Sequence, residues 1–278
     1  MSTWVNYALY GVLGILVFFV ACRMFYSRPV VYNDDWLDSP LTQDRALTNP
    51  NALLSQRVSQ PTTAQQQAPV CLLVHGFTAS SFEFDHFLDV ANNEGSTVQF
   101  STVVMGGHGR DYQAFKQASY QDWAAPILEE VQALKQLGYT NIAILGVSTG
   151  ATASLHLLLN QPSVFEGVHL VMVDPYIVPK NKLLFWTHIL GLVALNTRSG
   201  AQHDVEYKHW YTNRPASALN QLRLLVLKVQ QQLAQGVSSV IAPNMHVFTS
   251  DNDPTADTQG VALIQQAFGN DNVRVRRY

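Results

Sequence analysis

The chain has 278 residues, enough for one sizeable α/β domain plus an appendage. Charged residues make up 13%, against roughly 25% in an ordinary soluble domain, while hydrophobic residues reach 47%. The net charge of −3, with no basic patch to offset it, argues against a nucleic-acid partner.

Part of the charge deficit lies at the N-terminus. No charged side chain occurs from Met1 to Cys22, and Tyr7 to Ala21 reads YALYGVLGILVFFVA. About 20 apolar residues span a bilayer core, so residues 1–25 are long enough for one transmembrane anchor. A cleaved signal peptide would need a basic start, which is missing. Phe19 is a poor fit three residues before a lipoprotein cysteine at Cys22. A buried core helix does not suit an end segment with aromatics at both edges. Arg23 and Arg28 follow the span and no basic residue precedes it, so the positive-inside tendency leaves the remaining chain in the cytosol. Asp34, Asp35 and Asp38 weaken that bias. Cys22 at the membrane and Cys71 in an expected core strand are unsuited to a disulfide.

Residues 26–68 have no sustained period and end in the polar run SQPTTAQQQAP, which reads as a linker. Order is expected from Pro69, giving a domain over 69–278. "VCLLVHGF" is a short apolar run closed by His-Gly, as in a buried strand and the loop leaving it. A helical stretch near 80–93 precedes a second run, "TVQFSTVVM", which ends in Gly106-Gly107-His108-Gly109. From Tyr120 to Leu137, Trp123, Ile127, Val131 and Leu134 recur at helical spacing, and Gly138 is a good C-terminal cap. "NIAILG" is the third strand, "STGATASLHLLLN" a helix and "GVHLVMVD" the fourth strand. Strands alternating with helices predict an α/β fold with a mostly parallel sheet.

The alternation breaks between about 176 and 214, where Phe185, Trp186, Tyr207, Trp210 and Tyr211 suggest a short aromatic cap. Pro215 then opens a helix with Leu219, Leu222, Leu225, Val226, Val229 and Leu233 on one face. "NMHVFTS", "DTQGVALIQQAFG" and "NVRVRRY" supply a strand, a helix and a last strand. In that last strand Val273 and Val275 share one face while Arg274 and Arg276 share the other, the pattern of a sheet edge.

Gly146-Val-Ser148-Thr-Gly150 matches Gly-x-Ser-x-Gly, placed between a strand and a helix, which is the context the motif needs. The glycines permit a tight turn that exposes Ser148, and the helix starting there favours an oxyanion. The bland alternative is a serine in an ordinary strand-to-helix turn.

With "LLVHGFTASSFEF", "MGGHGRD", "YQDWAAPILEEVQAL", "GVSTGA" and "TSDNDPTAD" in order and at matching spacing, residues 69–278 resemble the α/β-hydrolase family. The likeness is greatest to its small carboxylesterases and monoacylglycerol-lipase-like enzymes. "VSTGA" departs from the commoner Gly-x-Ser-Met-Gly-Gly. The resemblance implies that Ser148 is the nucleophile and that Phe77 and Thr149 donate the oxyanion-hole N–H groups. It makes Asp253 the acid that orients a histidine, with Asp251 as runner-up and Asp257 as a helix cap. His75 and His108 become structural residues of their loops. No metal or organic cofactor is implied.

Chain order in this fold is Ser, acid, His. No histidine follows Asp253, since the last of the nine is His246. The family's base would lie beyond Tyr278, and the expectation is a chain truncated before it. His156 lies two helical turns past Ser148, too far along the axis to substitute. His86, His169 and His246 fall in core elements, and His188, His203 and His209 fall in the cap. The reading is therefore a single-pass, membrane-anchored serine hydrolase acting on small acyl esters, impaired in turnover. A non-catalytic binding or scaffold module of the same fold is the rival, and a peptidase a third possibility.

Overall fold

The computed structural model describes residues 3–26, 60–109, 112–198, 210–237 and 244–278. Most of the expected linker lies outside these residues, as do Arg110, Asp111, His203, Tyr207 and His209. Helix α1 (Thr3–Tyr26) comes first. Within it, Asn6–Met24 has a mean hydropathy of 1.9 and is nowhere buried, so this helix is long and apolar enough to cross a membrane.

Described structure resumes before Pro69. Helix α2 (Thr63–Gln67) lies inside the stretch read as linker, and this corrects the expected start of order. Thr62 and Gln65 form a reciprocal capping box at its start. The helix is also fastened to a distant segment: Gln66 donates from Nε2 to the Leu137 carbonyl, and its own carbonyl accepts the Thr140 N–H.

Strand β1 (Val70–Val74) is buried along its whole length, as a central parallel strand must be. Helix α3 (Asp85–Asn93), entered through a 3-10 turn at Ser81–Phe84, leads to β2 (Gln99–Val103). Helices α4 (Tyr112–Gln117) and α5 (Tyr120–Gln136) follow. A Ser119–Asp122 capping box starts α5, and Gly138 at φ +84° ends it. Strand β3 (Ile142–Val147), helix α6 (Thr149–Asn160) and strand β4 (His169–Val173) complete the first half of the domain.

The segment expected as a cap contains a 3-10 turn (Lys182–Trp186), the one-turn helix α7 (Thr187–Leu190) and a ribbon of β5 (Asn196–Arg198) and β6 (Asn213–Pro215). Helix α8 (Ala216–Ala234), strand β7 (Met245–Thr249), helix α9 (Gln259–Phe268) and strand β8 (Val273–Arg277) end the description.

The main sheet runs β2-β1-β3-β4-β7-β8, and every neighbouring pair is parallel. The larger core joins the sheet to α5, α6, α8 and α9, while a smaller cluster of Cys71, Leu73, Phe84, Leu88 and Phe100 lies under α3. Strand β8 is an edge as expected, with Val273 buried and Arg274 and Arg276 exposed. Strand order reverses between β1 and β3. Ligands in open α/β sheets bind outside the carboxyl ends of the strands at such a point.

Candidate active site

Ser148 joins the end of β3 to the start of α6 with φ +50° and ψ −110°. A non-glycine residue at positive φ is uncommon and costs roughly 1–3 kcal/mol, so the surrounding structure must impose it. Backbone bonds do so on both sides. Ser148 N–H donates to the Val173 carbonyl at 2.8 Å, and the Ser148 carbonyl accepts N–H groups from Thr152 and Tyr176.

The two flanking glycines are demanded by space. A Cβ on Gly146 would lie 2.6 Å from Ala151 Cα, and one on Gly150 would lie 2.4 Å from the carbonyl oxygens of Val74 and His75. The start of α6 is thereby pressed against the end of β1. That contact brings the loop after β1 beside Ser148, where a Cβ on Gly76 would sit 3.5 Å from Ser148 Cβ.

Thr149 is the first residue of α6 and fully buried, so its N–H has no carbonyl one turn earlier in the helix. Phe77 N–H makes no hydrogen bond among the described residues. Its ring packs 5.5 Å from Phe115 and 5.8 Å from Trp123. Two N–H groups without a partner among the described residues thus belong to the segments that meet at the serine, one in the β1 loop and one at the helix start.

His75 is fully buried with both ring nitrogens engaged. Nε2 accepts the Met105 N–H at 3.0 Å, which leaves Nδ1 as the protonated nitrogen that donates to the Gly76 carbonyl at 2.9 Å. Burial pushes its pKa down to about 4. His108 lies against His75, Phe115 and Trp123, and burial beside His75 holds it well below the ordinary range. Both shape loops, and neither is placed as a base. His156 is on α6, eight residues or about 12 Å along the axis from Ser148, with Nδ1 bonded to Gln232. His188 is exposed on α7.

Asp253 lies in the loop after β7. Its Oδ1 accepts from Thr255 N–H at 2.6 Å, Thr255 Oγ1 at 2.7 Å and Ala256 N–H at 3.1 Å, while Oδ2 has no hydrogen bond among the described residues. The loop is strapped to the segment after β4, with Lys180 N–H donating to Thr255 and Asp257 N–H to Val178. Asp251 makes an exposed ion pair with Arg277 at 3.4 Å, and Asp257 accepts the N–H of Gln259 at the start of α9.

Three participants are not legible in the motifs. Asp174, at φ +43°, accepts the Ser250 N–H at Oδ1 and the Tyr278 hydroxyl at Oδ2. Tyr176 donates its backbone N–H to the Ser148 carbonyl, its hydroxyl feels the charges of Arg214 and Asp253, and burial pushes its pKa up to about 12. Glu83 turns its carboxylate onto the β1 loop and accepts the Gly76 N–H at 2.7 Å. The segment expected to form the cap packs one aromatic inward and leaves another exposed. Tyr211 is buried, stacked on Phe115 at 4.4 Å, and its backbone N–H holds the Thr78 carbonyl. Trp186, another of the aromatics that suggested a cap, is 56% exposed, while Leu184 takes the inward place in that turn.

The fold is that of the α/β-hydrolases. A structure described with LipS and LipT, two metagenome-derived lipolytic enzymes, matches with a TM-score of 0.63 and 16% identity, over 76% of this chain and 84% of that one. A soluble variant of monoglyceride lipase from Saccharomyces cerevisiae matches with a TM-score of 0.60 and 11% identity, over 79% and 80% of the two chains. In sequence, a carboxylesterase of Bacillus subtilis (strain 168) is 22% identical over 222 residues, 79% of this chain and 86% of its own length. No family model matches.

Proposed function

We propose that the protein is a serine hydrolase-type domain that cleaves small carboxylic esters of the acyl or monoacylglycerol kind. The observation that carries the reading is the Ser148 turn, held at positive φ with the uncommitted N–H groups of Phe77 and Thr149 beside it. Ser148 Oγ attacks the ester carbonyl, the two N–H groups hold the oxyanion, and the alcohol leaves from an acyl-enzyme that water then hydrolyses. Asp253 is the acid, with Oδ2 the oxygen open to an imidazole N–H. The lipolytic and carboxylesterase activities of the similar proteins support this substrate class. Helix α1 anchors the domain to the membrane and the residues between α1 and α2 connect them, with α2 belonging to the catalytic unit.

Residues 1–278 turn over esters slowly. His75 is bonded at both nitrogens, His108 is walled in by aromatics, and no histidine follows Asp253 in them. A serine without a base keeps its proton near neutral pH, and loss of the histidine alone costs about 10⁶ in kcat in a serine protease. The same observation favours a second reading, a module that binds an acyl ester without cleaving it.

Two measurements decide. Labelling with a fluorophosphonate should be slow and abolished by Ser148→Ala, and no labelling at all would leave the binding module. Nitrophenyl ester turnover should rise by orders of magnitude when a histidine-bearing loop is appended after Tyr278. Efficient Ser148-dependent turnover by residues 1–278 would overturn the impairment.

A further inference from the structure

Glu83 lies eight residues after His75, in the 3-10 turn that follows the β1 loop, and its carboxylate reaches back to that loop. Oε2 accepts the Gly76 N–H at 2.7 Å, and Oε1 is 3.5 Å from the place a Gly76 Cβ would take. Ser148 Cβ is 3.5 Å from that same point. Carboxylate, loop backbone and nucleophile therefore meet around one glycine. Burial raises the pKa of this carboxyl to about 7, so its place against the loop carries a desolvation cost.

Gly76 has no side chain to restrict its dihedrals, so the peptides on either side of it are set by their hydrogen bonds. The peptide after it is gripped by its carbonyl, which accepts from His75 Nδ1 at 2.9 Å and from Ala79 N–H at 3.3 Å. A trans peptide is planar, with N–H and C=O opposed, so holding the Gly76 carbonyl aims the Phe77 N–H the other way. The peptide before it is gripped by its N–H, and there the acceptor is Glu83. With both planes fixed, Gly76 cannot turn and the Phe77 N–H cannot swing.

We propose that Glu83 is a positioning residue for the oxyanion hole, acting through Gly76 to aim the Phe77 N–H. The proposal rests on the reading of Ser148 and Phe77 given above. Glu83 touches neither substrate nor Ser148 Oγ in this role. It fixes the donor that must already point at the oxyanion before charge develops there, which is the condition for electrostatic stabilisation without reorganisation.

The test is fluorophosphonate labelling of the full chain, resolved into the reversible binding constant and the phosphonylation rate constant. Glu83→Ala should lower the rate constant by on the order of tenfold, less than the loss of a whole oxyanion donor, with binding unchanged. Glu83→Asp, whose shorter side chain withdraws from Gly76, should fall between Glu83→Ala and wild type and covers the case in which the alanine variant does not fold. Glu83→Gln keeps an acceptor oxygen at the same reach and should stay within about threefold of wild type. A rate constant unmoved in Glu83→Ala or Glu83→Asp, a loss confined to binding, or a glutamine variant as slow as alanine would each overturn the role. A wild-type chain that is never labelled at Ser148 sinks the nucleophile reading, and Glu83 with it. Ser148-dependent labelling of the wild type with indifferent variants removes Glu83 alone.

Discussion

Ser148 keeps a backbone conformation that glycine adopts without penalty and serine does not. Replacing it by glycine should relieve that strain. Ser148→Gly is expected to be more stable than Ser148→Ala by about 1 kcal/mol or more, read as the shift of the urea midpoint, while both lose labelling. Equal midpoints would mean that the turn stores no strain. His75 and Glu83 bring opposite pH slopes to stability. His75 stays neutral in the fold down to about pH 4 but takes a proton near 6.5 when unfolded, so stability falls as pH drops through that window. Glu83 keeps its proton in the fold up to about pH 7 and loses it near 4.5 when unfolded, so its cost grows as pH rises from 4.5 to 7. Glu83→Gln, which cannot ionise, should therefore gain on wild type across that window, by up to about 3 kcal/mol. Urea midpoints at pH 4.5 and 7 check this, and a constant difference between the two proteins would contradict it.

At the scale of elements, the β1 end, the β3 turn and the start of α6 behave as one unit. Gly150→Ala places a methyl group 2.4 Å from two backbone oxygens that no rotamer can move. It should destabilise by about 3 kcal/mol and slow labelling further, because α6 must back away from β1 and carry the Thr149 N–H with it. Unchanged labelling in a folded Gly150→Ala would separate the two. The segment before β6 is joined to the β1 loop through Tyr211, whose loss to alanine should cost about 3 kcal/mol or more in the urea midpoint. What could be read beforehand follows from this layering. Strands such as Val70–Val74 and Met245–Thr249 are short apolar runs between turn formers, and Ser148 and Thr149 stand in a motif of contiguous residues. Helix α2 is polar and five residues long, held by Gln66 reaching Leu137 and Thr140, and such partners leave no local period. Glu83 and Asp174 leave no sequence signal for the same reason, since each meets a backbone N–H brought to it by the fold. Trp186 misled because an aromatic count does not tell which side of a turn each ring takes.

For the whole molecule, α1 and the hydrolase domain should separate as anchor and soluble body. The full chain is expected to stay in membranes through carbonate extraction, and residues 60–278 to be soluble and folded with α2 retained. Carbonate release of the full chain would refute the anchor. The sheet order has one more consequence, for how the chain is made. From β1 onward, each strand that joins the growing side, β3, β4, β7 and then β8, pairs with the strand formed before it. During synthesis the sheet can therefore lengthen outward in the order of translation, with no late strand needing to insert between two early ones. At each stage, however, the newest strand is an open edge that could pair with another nascent chain. On β8, the outermost described strand of that side, Arg274, Arg276 and Arg277 are exposed and put charge on its open edge.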